Sequence, residues 1–361
     1  MARTVLVAGA SGLVGTAAID AFLDQDWEVI ALSRRKPEVF SQRPFRHLAV
    51  DLQDRAACQA AFRHLSSVTH VVYTAVYELP GLVAGWQDPR QMQTNLDMLR
   101  NLLEPLQQAS RLQHVTLLQG TKAYGVHLHA IAIPARERHP RDPHANFYWL
   151  QEDWLRAQSA QRGFGWTILR PTVVLGPNVG VVMNILPVVG IYAALCREES
   201  RPFGFPGHIA YVREAVDARL IGRAAEWAAR TPTAWGEHYN LTNGEVFSWR
   251  DIWPAMADAL GVPAAPDHPV SMAEHLPARA AVWDRIVQRH GLRPLQMENL
   301  LGQSHFYADF GFGHGLKAMP PPAFVSTVKI KQAGFTETFD TELAVRHWLQ
   351  VLMDRRILPS P

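Results

Sequence analysis

From Thr4 onward, apolar residues come in short runs of strand length, separated by longer stretches in which they recur every three or four positions. The runs TVLVAG, EVIALS, HLAVD, HVVYTA, HVTLLQ and TILRPTVVLG read as strands, and TAAIDAFLDQD and MLRNLLEPLQQA read as helices between them. Parallel strands need crossovers that cover both faces of the sheet, so this alternation predicts an α/β fold with a Rossmann-type doubly wound parallel sheet.

After Gly176 the rhythm changes. Trp and Pro become more frequent, and the helical stretches WRDIWPAMADAL and TELAVRHWLQVLM stand without strands between them. A smaller, mainly helical C-terminal lobe is the expected reading. Residues 1–177 form the predicted nucleotide-binding domain, and 208–243 return to it through AVDARLIGRAAEWAA and EHYNLT. Residues 178–207 and 244–361 are left for a substrate-binding lobe, with Trp249, Trp253 and Trp283 as its core. Within it, VVMNILPVVGIYAALC is apolar but short for a bilayer and interrupted by Asn184, Pro187 and Gly190, so it reads as a buried or pocket-lining segment.

Composition narrows the partner. The chain has 361 residues, enough for an ample core, and a net charge of +2 with acidic and basic residues interspersed. Such a balance offers no stripe for nucleic acid and no patch for a membrane surface, which leaves a small molecule. Cys58 and Cys196 match no metal-ligand spacing, and they fit packing in a reduced, cytoplasmic compartment. MARTVLVAGASG runs straight into glycine-rich sequence, unlike a secretory signal. His127 and His129 flank one apolar residue without a third ligand at useful spacing, so no metal is expected. The charged run RERHPRD reads as an exposed loop, Asp217 as a helix-orienting residue, and FGFPG with Tyr211 as a chain turn or a substrate contact.

The first strand leads into GASGLVG, where Gly9, Ser11, Gly12, Leu13, Val14 and Gly15 form a strand-to-helix turn. Glycines let the backbone approach a pyrophosphate, and the helix start offers it amide donors. The plain alternative is a tightly packed turn without ligand. The second strand ends in Ser33, Arg34 and Arg35, where an NAD-binding chain usually offers a carboxylate to the ribose. Guanidinium groups there suit a 2′-phosphate, so NADPH is the expected cofactor, against the alternative of a solvated basic loop. Asp51 and Leu52, at the end of the third run, are expected near the adenine. Thr74, Ala75 and Val76 after the fourth run, and Gln119, Pro171 and Val174 further on, complete the expected cofactor wall.

A hydride reductase must stabilise negative charge arising on the substrate oxygen, and a tyrosine hydroxyl beside an ammonium can do so. NFYWLQEDWL supplies Tyr148, but four residues later, where short-chain enzymes commonly carry lysine, stands Glu152. Lys122 lies just past the carboxyl end of the preceding strand, in HVTLLQGTKAYG, where ligands of doubly wound sheets bind.

Together, GASGLVG, SRR, QGTKAYG, NFYWLQED and TNGEVFSWRDIW resemble the progesterone 5β-reductase and iridoid synthase family of extended short-chain reductases. The likeness continues through RPTVVLGP, AVWDRIVQRHGL and QVLMDRRILP. It implies NADPH-dependent reduction of an activated C=C bond in an enone or enal, with Lys122 and Tyr148 as the catalytic pair holding the enolate oxygen. The same donors could serve direct reduction of an aldehyde or ketone carbonyl, and an NADP-sensing regulator without turnover is a third reading. Gly120 stands where sugar-nucleotide epimerases carry a catalytic hydroxyl, and Tyr124 matches a structural position. Trp149 replaces a second tyrosine, and His129, Ala130 and Ile131 replace Gly-Pro-Phe, so a pocket lined by that loop would take different substrates. Short-chain enzymes occur as monomers and oligomers, which leaves a homodimer open.

Overall fold

Seven parallel strands form one sheet, in the order Glu237–Leu241, β6 (Gly165–Pro171), β5 (His114–Leu118), β4 (Val68–Tyr73), β1 (Thr4–Ala8), β2 (Glu28–Leu32), β3 (Arg46–Leu48). The coordinates are a computed structural model that describes residues 3–79 and 84–361. All five side chains of β1 are buried, as a strand covered on both faces requires. Strand order reverses between β1 and β4, and at this switch point the carboxyl ends of the strands leave a crevice for ligands.

The crossover helices are α1 (Leu13–Asp24), α2 (Arg55–Phe62), the short α3 (Ala84–Gln87), α4 (Pro89–Ala109) and α5 (Phe147–Arg162), followed later by Ala218–Arg230. Polar residues start three of them. Asp54 accepts from the Ala57 amide, Asp88 from the Arg90 amide with Pro89 in the first turn, and Asn146 from the Tyr148 amide. Leu6, Val71, Leu99, Leu103, Val115 and Ile168 belong to a core between sheet and helices. On the other face, α1 meets Ala218–Arg230 at Gly222, where a Cβ would lie 2.4 Å from the Ala17 carbonyl oxygen.

The sheet and its helices belong to a first compact unit, made of Met1–Thr172, Ala218–Thr242 and Ala323–Glu337. Two points differ from the sequence pattern. TILRPTVVLG is not one strand: β6 ends at Pro171, which has no N–H to continue a ladder, and Val173–Leu175 pairs instead with Ala215–Asp217 in the second unit. The return to the first unit therefore begins at Ala218, not near residue 208. The segment Ala323–Glu337 also joins this unit, through backbone bonds from Ala135 N–H to Phe324 O and from Ser326 N–H to Ala135 O. A single bridge carries no alternating pattern for sequence reading to detect.

The second unit comprises Val173–Asp217, Asn243–Pro322 and Thr338–Pro361 and is mostly helical. Helix Ile185–Glu198 is buried along its length up to Cys196, which keeps the apolar run inside the protein. Trp249, Trp253 and Trp283 are core residues, and the Phe203 ring stacks on Trp253. Asp217 is fully buried and accepts from the Trp348 indole N–H, and Tyr211 donates to the Phe310 carbonyl. Both cysteines are free and buried. Among the described residues, no helix is long and apolar enough to cross a membrane.

Candidate active site

The turn after β1 is built for close approach of backbone. Gly9 has φ +81°, and a Cβ on it would lie 2.6 Å from Thr74 Oγ1 and 2.7 Å from the Ala75 nitrogen. A Cβ on Gly15 would lie 2.2 Å from the Gly9 carbonyl oxygen. Gly12, by contrast, would bring its Cβ no nearer than 3.3 Å to any described atom, and it caps α1 without a side-chain hydrogen bond. The amides at the start of a 12-residue helix thus face a side from which only hydrogen atoms project at Gly12. Ser11, Leu13 and Val14 are half-buried around this turn. The donor set and the missing Cβ fit a dinucleotide pyrophosphate.

At the end of β2, Ser33 is buried and its hydroxyl donates to the Arg35 carbonyl at 2.6 Å, which bends the chain and leaves Arg34 and Arg35 exposed. Arg34 lies 3.9 Å from Asp51 in a loose, exposed pair that leaves its guanidinium available. Asp51 also accepts from the Gln53 amide, whereas the Leu52 side chain lies in the core and its carbonyl accepts from Asn101. Leu52 can therefore face a ligand only through backbone. Past β4, the Thr74 hydroxyl donates to the Ala8 carbonyl, Ala75 is half-buried and Val76 is exposed. Buried Asn95 then holds the chain like a strand partner, accepting from the Tyr77 amide and donating to its carbonyl.

Gln119, buried at the end of β5, is one member of a polar cluster and turns its side chain inward. Its amide donates to Glu152 at 3.0 Å and accepts from Arg170 at 2.8 Å. Glu152 also has Arg141 at 3.1 Å, His238 Nε2 at 3.0 Å and Arg170 at 3.7 Å. Burial alone would raise its pKa, but His238, Gln119 and Arg170 outweigh that and hold the carboxyl at about 2. The residue that replaces the helical lysine is thus a permanent anion and an anchor. Arg141 stacks over Trp149 as well, so RERHPRD, whose Arg138, Pro140 and Arg141 are exposed, is a surface loop tied to the protein through Glu152 and His144. The Tyr124 hydroxyl donates to Asn240 at 2.7 Å and joins this polar cluster through Arg170.

Lys122 sits in a 3-10 turn, Thr121–Tyr124, that ends at left-handed Gly125. Its Nζ is buried with no hydrogen-bond partner among the described residues, and it lies 3.5 Å from the centroid of the Trp86 ring. Burial lowers its pKa to about 8 against an opposing pull from Glu78. The Tyr148 ring meets the same Trp86 edge to face, with centroids 5.3 Å apart. Burial, with a lesser push from Glu78, drives the Tyr148 hydroxyl far above the ordinary tyrosine range, so it remains a proton donor. A Cβ on Gly120 would lie 3.3 Å from that hydroxyl. Glycine at the end of β5 therefore gives the tyrosine its space. His127 lies near Lys122 and meets the Trp86 ring, its own ring held neutral, at about 4, by burial and then by Lys122.

Trp86, Glu78 and Asn146 escaped sequence reading as site residues. Asn146 had a signal, a helix-start asparagine, but Trp86 and Glu78 carry none beyond composition. Pro171 closes β6 in the first unit, and Val174 belongs to the second unit's Val173–Leu175 strand. Among the described residues, no group of three His, Cys, Asp or Glu is placed to hold a metal ion.

A Gly-rich turn at the switch point of a parallel sheet, with a tyrosine and a buried lysine beyond the end of β5, is the arrangement expected of a short-chain dehydrogenase/reductase. The chain belongs to the NAD dependent epimerase/dehydratase family, whose model matches residues 5–242, and within it to the progesterone 5β-reductase and iridoid synthase-like extended group. It is similar to an (S)-8-oxocitronellyl enol synthase of Camptotheca acuminata, at 30% identity over 82% of this chain and 80% of that one. The (S)-8-oxocitronellyl enol synthase of Catharanthus roseus is 29% identical over 85% and 81% of the two chains. The fold is shared with UDP-glucose 4-epimerase of Thermotoga maritima (TM-score 0.67, 16% identity, 98% and 99% of the chains). A Thermus thermophilus UDP-glucose 4-epimerase in complex with NAD is similar too (TM-score 0.65, 21% identity, 96% and 98%). The protein is accordingly an NAD(P)-dependent oxidoreductase, a reductase of the short-chain class.

Proposed function

We propose that the protein reduces activated C=C bonds of enones or enals with NADPH, Tyr148 and Lys122 stabilising the enolate oxygen. The observation that carries this is the pairing of a neutral tyrosine hydroxyl with a buried lysine lacking a hydrogen-bond partner among the described residues, both packed on Trp86. NADPH, when bound, supplies the hydride. The chain would hold its pyrophosphate at Gly9 to Gly15 and its 2′-phosphate at Ser33, Arg34 and Arg35.

Tyr148 donates to the developing oxyanion, and the Lys122 ammonium adds positive charge at low dielectric, where it counts most. Glu152 takes no proton part. It orders Gln119 and Arg170 beneath the tyrosine's own backbone. The second unit is the expected carrier of the substrate-binding surface. The relatives described above are named for synthesis of an 8-oxocitronellyl enol, which supports a small carbonyl compound whose reduction passes through an enol as the substrate class.

The test is NADPH oxidation with 2-cyclohexen-1-one, with product identification. Saturated ketone supports this reading, allylic alcohol supports carbonyl reduction by the same two donors, and no turnover across enones and aldehydes removes both. Tyr148→Phe and Lys122→Ala should each abolish most turnover while NADPH still binds, and wild-type rates in both would refute the site.

A further inference from the structure

The side-chain amide of Asn146 joins the two residues on which the reaction depends. Its Oδ1 accepts from the Tyr148 backbone N–H at 3.0 Å, and its Nδ2 donates to the Lys122 carbonyl at 3.3 Å. Because an N–H only donates and a carbonyl only accepts, this amide has one permitted orientation. Nδ2 also faces His144 Nε2 at 3.0 Å, so that ring nitrogen must accept. The ring proton is then on Nδ1, which lies 2.6 Å from Asp142 Oδ1. The other oxygen of Asp142 lies 2.9 Å from His129 Nε2. Gly125 makes room for this pair, since a Cβ there would fall 2.5 Å from His129 Nε2 and 2.9 Å from Asp142 Oδ2.

We propose that His144 and Asp142 are positioning residues for the reductase site: Asp142 fixes the His144 tautomer, His144 fixes the Asn146 amide, and Asn146 keeps Lys122 and Tyr148 in register. This rests on Lys122 and Tyr148 being the catalytic pair. A second proton on His144 would set Nε2–H against the Asn146 NH2, two donors face to face, and one arm of the clamp would open.

The charged and titratable neighbours of His144 come from several elements. On its own loop stand Asp142 and, beyond it, His129. The His127 ring lies 5.3 Å away, and Lys122 stands in the 3-10 turn whose carbonyl Asn146 holds. Arg141 and Arg170 lie over Trp149, whose indole N–H donates to the His144 carbonyl at 3.1 Å. Opening the clamp in this way would cost turnover on the acid side without touching the residues that would hold NADPH.

The experiment compares wild type, His144→Ala, His144→Gln and Lys122→Ala in kcat against pH with saturating NADPH and 2-cyclohexen-1-one, and in NADPH affinity by fluorescence titration. His144→Ala should lower kcat by about 10- to 100-fold with little change in NADPH affinity, as small misplacements of reacting groups do. The glutamine amide oxygen can accept from Asn146 and does not titrate, so His144→Gln should keep most of the turnover and flatten the acid limb. If His144→Ala fails to fold, His144→Gln decides alone: an acid limb identical to wild type overturns the proposal. Turnover retained by Lys122→Ala would remove the catalytic reading and this one with it. Turnover lost there, with both His144 variants behaving as wild type, would remove this one only.

Discussion

The Lys122 ammonium rests 3.5 Å from the centre of the Trp86 ring, and the indole N–H of the same tryptophan donates to Glu78 at 3.0 Å. One aromatic side chain thus holds the lysine by its face and, by its edge, the carboxylate that partly offsets the lysine's burial. With the free-enzyme lysine at about 8, kcat/KM should fall as pH rises through that value. Stability should move the other way. The native lysine has the lower pKa, so between about 8 and its ordinary value of 10.5 the unfolded chain holds the proton more tightly, and stability rises with pH across this window. Denaturant titrations of wild type and Lys122→Met check this, and a Met variant with the same slope would contradict it. Trp86→Leu removes the π face and should move the alkaline limb to lower pH, with Trp86→Phe between; a limb that stays in place in both would show that the ring does not hold the charge.

Gly120 leaves the Tyr148 hydroxyl its position, a Cβ there standing 3.3 Å away. Gly120→Ala should shift the hydroxyl by a few tenths of an ångström and lower kcat by about tenfold, with NADPH affinity unchanged. Its backbone is extended at φ −173°, so alanine brings no conformational strain and a folding defect is not expected. Steady-state kinetics and a thermal melt together check both halves.

Arg34 is exposed and only loosely paired with Asp51. Replacing it with alanine should weaken NADPH by about 10- to 100-fold, the size of a charge-assisted bond, and NADH much less. Affinity titrations with both cofactors decide, and equal losses would remove the 2′-phosphate role.

What the sequence disclosed follows the range of the interactions. The Gly9–Gly12–Gly15 turn was legible because its geometry is set within seven residues of a strand end. Lys122 and Tyr148 could be singled out because each carries a short motif around it, and the fold brings both against Trp86. Trp86, Glu78 and His144 were not, since their roles exist only once a loop after β4, a turn after β5 and the start of α5 come together. In the fold, the alternation of apolar runs disclosed the sheet, but the break at Pro171 was hidden because apolar residues continue on both sides of it. The contribution of 323–337 was hidden for the opposite reason, being made by backbone bonds, the Lys329–Glu237 pair and separated buried residues such as Ile330 and Phe335 instead of an apolar run.

Glu152 holds Gln119, Arg141, His238 and Arg170 around a carboxylate kept ionised to about pH 2. Its native pKa lies below the ordinary value of 4.5, so the stability it lends is complete above that value and is lost as pH falls toward 2. Glu152→Ala should cost about 3–5 kcal/mol in a urea melt, because it strands buried cations. Glu152→Lys, which would write the familiar tyrosine-to-lysine spacing back into α5, should do worse, placing another cation among three arginines and a histidine. Position 152 is thus built around a negative charge, so a lysine there would find no carboxylate to receive it, and the tyrosine-to-lysine spacing could return only together with changes at Arg141, Arg170 and His238.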